Sequence, residues 1–347
     1  MLVRPETREP PVYTVAGISL AQWRVILLGA GLVIAAVIPF VLKNFYIFQI
    51  TLAIIYAVAI LGLNLLTGFN GQFSLGHSAF YAIGAYTAAI MMENLGISYV
   101  WTIPVAAIVC FVFGFLFGLP ALRLEGIYLA LATFALAIAI PQALKSTVVE
   151  HWTGGVQGIV IIKPDAPFGL KLNSDQWLYF FTVVVAIVMY VCAVNLVNSR
   201  TGRALIAIRD HPVAASAMGI NVSLYKSLTF GVSALYTGVA GALGAITISF
   251  VAPDSFTFVL AVALFVGLVV GGVASIPGTL VGGLFVLFAP NIAELLAVLL
   301  PGVSKDSAKG LAGAVYGVIL LLVIYVMPTG FAGLMRLIVG GVMRQGR

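Results

Sequence analysis

This sequence has little charge. Aspartate, glutamate, lysine and arginine make up 8% of its 347 residues, against about 25% in soluble domains. So little charge cannot cover a water-facing surface, and a soluble globular class is excluded. Cysteine is scarcer still. Cys110 and Cys192 are the whole supply, and both fall in apolar runs, where they read as small buried hydrophobes. They support neither a disulfide framework nor a metal site. There are three histidines, none in a zinc spacing. No Gly-x-x-x-x-Gly-Lys-Ser/Thr stretch occurs, which excludes ATP binding of the P-loop kind. No catalytic arrangement of paired carboxylates, or of cysteine with histidine, is visible either, so a membrane enzyme is disfavoured. Acids are nearly absent from the apolar runs, Glu294 being the deepest. Carriers driven by protons or sodium usually hold ionisable groups inside their spans. The scarcity points to a passive channel, or to a subunit powered by another protein.

Hydrophobic residues make up 62% of the chain, in runs that reach the ~20 residues needed to cross a bilayer. The pattern is that of an all-α polytopic membrane protein with about ten transmembrane helices. They are expected near 24–42, 46–66, 76–92, 100–119, 126–143, 177–197, 226–249, 257–275, 279–300 and 311–327. One membrane domain over 24–330 follows, with a polar N-terminal segment 1–23 and a tail 331–347. The tail carries Arg336 and Arg344 and is expected to lie at the inner membrane surface. The first run lacks a small-residue cleavage site and reads as a retained span rather than a signal peptide.

Orientation follows from the basic residues in the flanks. With the N-terminus inside, eleven of the seventeen lysines and arginines, including every arginine, face the cytoplasm. Adding the acids gives +7 inside and −1 outside, the two parts of the net +6. That distribution, more than the total, carries the information, so the charge does not indicate nucleic acid. Both termini are expected in the cytoplasm.

The most polar inside loop is 198–224, where Arg200, Arg203 and Arg209 lie within ten residues. Its second half has its own start and stop signals. Asp210 suits an N-cap, Pro212 the first helical turn and Gly219 a left-handed position after the last. Between them 213–218 would form about two turns, too short to be stable alone in water. Two readings stay open here, a solvated basic loop and a short helix that docks into another protein.

Two glycine-rich breaks interrupt the spans. The first, 68–78, has no formal charge and offers Asn70, Gln72, Ser74 and His77. The second, 271–278, is similar in character and lies in the other half of the chain, which suggests an internal repeat. Non-helical backbone at membrane depth has to face protein or a water-filled cavity. The first break is therefore either a piece of a solute path or a tight turn at the surface. His77 reads as a helix-packing hydrogen-bonder rather than a proton relay or metal ligand, since no carboxylate or second histidine accompanies it. Small-residue pairs four apart, Gly114 with Gly118, Gly267 with Gly271, Gly278 with Gly282 and Gly313 with Gly317, suit close helix packing. The longest outside connection, 144–176, has three glycines among residues 154–158. It either meets an external partner or caps the bundle.

Four segments together resemble the permease subunits of branched-chain amino acid ABC importers, in particular the methionine-named member of the heterodimeric permease pair. They are GLNLLTG at 62–68 running into GQFSLGH at 71–77, TGG at 153–155 with Gly158 and Ile159, SRTGR at 199–203 through AIRD at 207–210 to Ala214, Met218 and Gly219, and Tyr316-Gly317 through Pro328 to Gly330. The resemblance covers about 45–335. It implies the ABC importer permease fold in a bacterial inner membrane. It also implies a second homologous permease, two cytoplasmic ABC ATPases that bind the ATP and magnesium, and a periplasmic or extracellular solute-binding protein. This chain would then have no catalytic residue, cofactor or metal of its own. The coupling segment would take in Arg203, Arg209, Asp210, His211, Pro212, Ala214, Ala215, Met218 and Gly219. Ala214, Ala215 and Gly219 echo the Glu-Ala-Ala-three-residues-Gly signature of such permeases, although Val213 replaces the acid and the trailing Leu-Pro is missing. A lightly polar path would draw on Asn70, Gln72, Ser74, His77, Tyr81 and Thr133. The implied cargo is leucine, isoleucine or valine carried by alternating access. Urea, short amides or aromatic acids are the alternatives within the class, and a stand-alone channel or secondary carrier lies outside it.

Overall fold

In lipid each backbone N–H and C=O needs a partner within the protein, and this chain meets the demand almost entirely with helices. A computed structural model describes residues 14, 15, 18–124, 126–169, 172–299, 305–327 and 330–335. Contacts divide the chain into units 1–47 and 48–347. The first holds an antiparallel pair, β1 (Thr14–Val15) and β2 (Ile18–Ser19), in the register Thr14↔Ser19 and Val15↔Ile18. Helix α1 (Leu20–Val41) follows, and the first turn of α2 (Asn44–Asn64) closes on the Lys43 carbonyl.

In the second unit α2 continues as a π-helical turn, Leu65–Phe69. Then come α3 (His77–Glu93), α4 (Tyr99–Ala121), α5 (Ile127–Leu144) and the short α6 (Glu150–Thr153). Strand β3 (Ile159–Val160), α7 (Ser174–Asn198), α8 (Arg200–Asp210), α9 (Pro212–Ala217) and α10 (Val222–Ile248) follow. Strand β4 (Phe250–Val251), α11 (Phe258–Gly271), α12 (Gly278–Val298) and α13 (Lys305–Val326) complete the order. Each of the ten expected runs coincides with a helix. Seven helical stretches among the described residues are long and apolar enough to cross a membrane. Helix α3, at 17 residues, lies at the short end of the spanning range of about 17–25. One expected boundary is corrected. The run placed at 257–275 leaves the helix after Gly271, because Gly272 turns to φ +110°, a conformation open to glycine.

Helices α2 and α10 form the interior. In their apolar windows 78% and 83% of residues are buried, against 22% in α5 and α7. Small residues make that central position possible for α10. A Cβ on Gly84 of α3 would collide with the Gly238 carbonyl of α10, and one on Gly114 of α4 would run into Ala234. Without those side chains the backbones approach closely, which is how helices associate where lipid removes the hydrophobic drive. Gly267 with Gly282 and Gly271 with Gly278 join α11 to α12 in the same way. Gly313 and Gly317 do not follow suit, since among the described residues nothing lies within 4 Å of where their Cβ atoms would be. Spacing along a helix shows which residues share a face, not whether another helix covers it. Cys192 is corrected for the same reason. Cys110 is buried beside Gly238, but Cys192 is exposed on α7.

The long connection 144–176 caps this bundle. Gly154, Gly155 and Gly158 all take positive φ, and β3 pairs antiparallel with β4 as Ile159↔Val251 and Val160↔Phe250. Lys145 meets Asp254 at 2.5 Å, and Lys163 pairs with Asp175. The tail beyond Met335, with Arg336 and Arg344, lies outside the described residues, as do Pro328 and Thr329 of the expected stop.

Replacing Gly84 by leucine forces α3 away from α10. Overpacking of this kind costs about 1–3 kcal/mol. The variant is expected to unfold at a lower temperature in detergent, whereas Gly317→Leu in the same isolated chain leaves the midpoint unchanged.

Candidate functional site

The two glycine-rich breaks meet, and Asn64 joins them. This last residue of α2 is fully buried. Its Nδ2 donates to the Ser275 carbonyl at 2.9 Å, and its Oδ1 accepts the Ala274 N–H at 2.9 Å. Both backbone groups lie in the second break, where no helix supplies a partner. Gly68 allows the approach, since a Cβ there would meet Asn64 Oδ1 and the Ala274 nitrogen. The π-helical turn between Asn64 and Asn70 adds to the irregularity, and such turns often mark functional sites.

Past the turn the chain is held by its own polar groups. Gln72 N donates to the Leu66 carbonyl at 3.1 Å, and Thr67 Oγ1 donates to the Gln72 carbonyl at 3.0 Å. Asn70 Nδ2 reaches Gln72 Oε1 at 2.6 Å. Asn70 is only 1% exposed, and among the described residues its Oδ1 has no hydrogen-bond partner. Thr133 of α5 accepts the Leu75 N–H at 2.9 Å and donates to the Ala130 carbonyl at 3.0 Å.

His77 is a pin through three helices. Ser233 Oγ of α10 donates to the Gly62 carbonyl of α2 at 2.6 Å, so it accepts from His77 Nε2 at 2.7 Å. The Ser74 hydroxyl then donates to His77 Nδ1 at 3.1 Å. With both ring nitrogens occupied by hydroxyls, the arrangement is that of a packing group. Tyr81 sits apart from this network, against the rings of Tyr56 and Phe256 at 6.3 and 5.9 Å and beside Gly244. The expected path residues thus divide. Asn70 joins Gln72, Ser74 joins His77, Thr133 holds Leu75, and Tyr81 belongs to an aromatic cluster of its own.

The basic loop is two helices rather than one. Ser199 caps α8, its Oγ accepting the Gly202 N–H at 3.3 Å, and Leu205 and Ile208 are buried along one face. Asp210, expected to cap the docking helix, instead ends α8. His211 takes the cap position in extended backbone, because a residue before proline is driven out of the helical region. Pro212 begins α9 as expected. Its far end closes with Ile220 N on the Ala215 carbonyl and Gly219 N on the Ser216 carbonyl at 3.1 and 3.0 Å. Gly219 stands at φ +83° between them, as in a Schellman end. Only Ala215 of α9 is buried. Val213 and Met218 are 80% and 83% exposed, and Ala214 is exposed beside them. Arg203 is exposed too, reaching only the Asn198 carbonyl at 3.4 Å.

Arg209, also exposed, lays its guanidinium against the first break. Its Nη1 donates to the Gly68 carbonyl at 3.0 Å, while Nε and Nη2 lie 2.9 Å from Asp210 Oδ1. Gly71 sits against its stem. The α8 end is therefore tied directly to the first break.

The family described as "Branched-chain amino acid transport system / permease component" matches residues 45–342. The chain belongs to that family. Among curated proteins this permease is 33% identical over 269 residues to the high-affinity branched-chain amino acid transport system permease protein LivM of Salmonella typhimurium. That alignment covers 71% of this chain and 63% of the relative, so under two thirds of its length is spanned. Similarity to LivM of Escherichia coli is 30% over 330 residues, covering 88% of this chain and 74% of that protein. LivH of Salmonella typhimurium is 28% identical over 306 residues, covering 82% and 93%. No solved structure matches. The match starts at residue 45, so most of the first unit lies outside it.

Asn64 was not among the residues expected at this site. Its signal was there in principle, as a lone amide closing a long apolar run, and polar groups in such positions usually bond between helices. Asn64→Leu removes the partners of Ala274 N and Ser275 O. Each buried group left unmet costs about 1–3 kcal/mol. Amide exchange is expected to quicken at Ala274 and its neighbours in the second break, while the centre of α10 keeps its protection.

Proposed function

We propose that this permease forms half of the translocation path of an ABC importer for branched-chain amino acids. It pairs with a second homologous permease and works by alternating access. Two cytoplasmic ATPases bind ATP and magnesium and drive the cycle, and an external solute-binding protein delivers leucine, isoleucine or valine. The names of the relatives favour this cargo over urea or short amides. The family favours a bacterial inner membrane, and the basic flanks favour both termini in the cytoplasm.

The observation that carries the docking part is α9. A six-residue helix has little stability of its own, yet it starts on Pro212, is closed at its far end by Gly219 and Ile220, and presents Val213 and Met218 to solvent. An apolar knob projecting beside exposed arginines costs solubility unless something covers it. A groove on an ATPase is the partner that suits it. Closure of the paired ATPases on ATP would then displace α9 and α8 and open the path toward the binding protein, and hydrolysis would reset it.

Val213→Asp with Met218→Asp places two charges on that face without touching the buried Ala215. Charges in the core of an interface cost several kcal/mol. The double variant is expected to purify as a folded permease pair without ATPases and to lose leucine uptake by at least about tenfold. Retention of both ATPases with normal uptake would remove the docking assignment.

A further inference from the structure

We infer that Arg209 is the pin that passes displacement of the docking helix to the glycine-rich breaks, a positioning residue rather than a contact for the ATPase. This deepens the coupling reading given above and rests on it. The helix that begins as α2 ends at Phe69 after the π-helical turn, and its last four carbonyls have no helical donor ahead of them. The Leu66 carbonyl is met by Gln72 N, and the Gly68 carbonyl by the Arg209 guanidinium. A cation is well placed there, at the negative end of a 26-residue helical stretch. Gly71, at φ +75°, keeps the space clear, since a Cβ would come within 2.8 Å of Arg209 Cγ.

Arg209 is the last residue but one of α8, two peptides ahead of the His211 cap that starts α9. Asp210 Oδ1 holds the other edge of the guanidinium. A movement of α9 therefore pulls on Gly68 through one side chain. Gly68 in turn lies on Asn64 and Ala274, and Asn64 holds both Ala274 and Ser275. The connection is continuous from the cytoplasmic helix to the non-helical segments of both halves. A planar fork with several donors can hold Asp210 and the Gly68 carbonyl together, and an ammonium cannot reproduce that geometry.

The test uses the complete complex, co-purified and reconstituted in proteoliposomes with its binding protein. Leucine uptake and ATP hydrolysis are measured on the same sample. Arg209→Gln is expected to keep the ATPases bound and ATP turnover within about twofold, while leucine carried per ATP falls about tenfold, the scale of a lost charge-assisted hydrogen bond. Arg209→Lys falls between the two. Asp210→Asn lowers the ratio alone but adds nothing in the Arg209→Gln background, a non-additivity that independent structural effects would not produce. Should Arg209→Gln not assemble, the Lys and Asp210→Asn variants carry the same measurement. A ratio within twofold of the unaltered complex overturns the pin. So does dissociation of the ATPases, which would place Arg209 in the docking face. An unaltered complex that purifies without any ATPase would instead remove the coupling reading.

Discussion

Backbone groups that leave a helix within a bilayer must be met by protein, and this requirement governs the centre of the permease. Regular helices satisfy it internally over most of the chain. The stretches 70–76 and 272–277 cannot, so they and the π-helical turn before the first depend in part on side chains from other elements. Asn64 meets the Ala274 N–H and the Ser275 carbonyl, Thr133 meets the Leu75 N–H, and Arg209 meets the Gly68 carbonyl. Each of these bonds joins segments distant in sequence. The irregular segments are therefore the most interdependent parts of the fold, and the parts in which a shift at one end is felt at the other.

The second requirement is close approach without charge. Lipid offers little hydrophobic incentive for helices to associate, so contact comes from small residues and hydroxyls. Helix α10 shows both. Gly238 admits Gly84 and Cys110, while Ser233 links His77 to the Gly62 carbonyl. A composition with so few ionisable groups is consistent with this economy, because the interior is ordered by neutral hydrogen bonds and van der Waals contact.

The two ends of the unit are held differently. At one end a two-residue strand pair and ion pairs on Lys145 and Lys163 tie the long connection over the helices. At the other end α8 buries Leu205 and Ile208, while α9 buries only Ala215. A partly buried helix thus leads into a projecting one.

Much of this was legible in the residues. Length of apolar run located ten of the described helices, including the seven stretches long and apolar enough to cross a membrane, because a span needs about 20 apolar residues wherever it packs. Pro212 and Gly219 marked the ends of α9, because both act through local backbone preference. Four short motifs carried the family. Helix α8 went unseen although its signals were local, a Ser199 cap before Leu205 and Ile208 at helical spacing, because three arginines made the stretch read as a loop. Other features were settled only by the tertiary structure. The meeting of the two breaks on Asn64, the bond from Arg209 to Gly68, the exposure of Cys192 and the open face at Gly313 and Gly317 all depend on which helix lies beside which. Periodicity along one helix defines its faces. What each face meets is decided by helices distant in sequence.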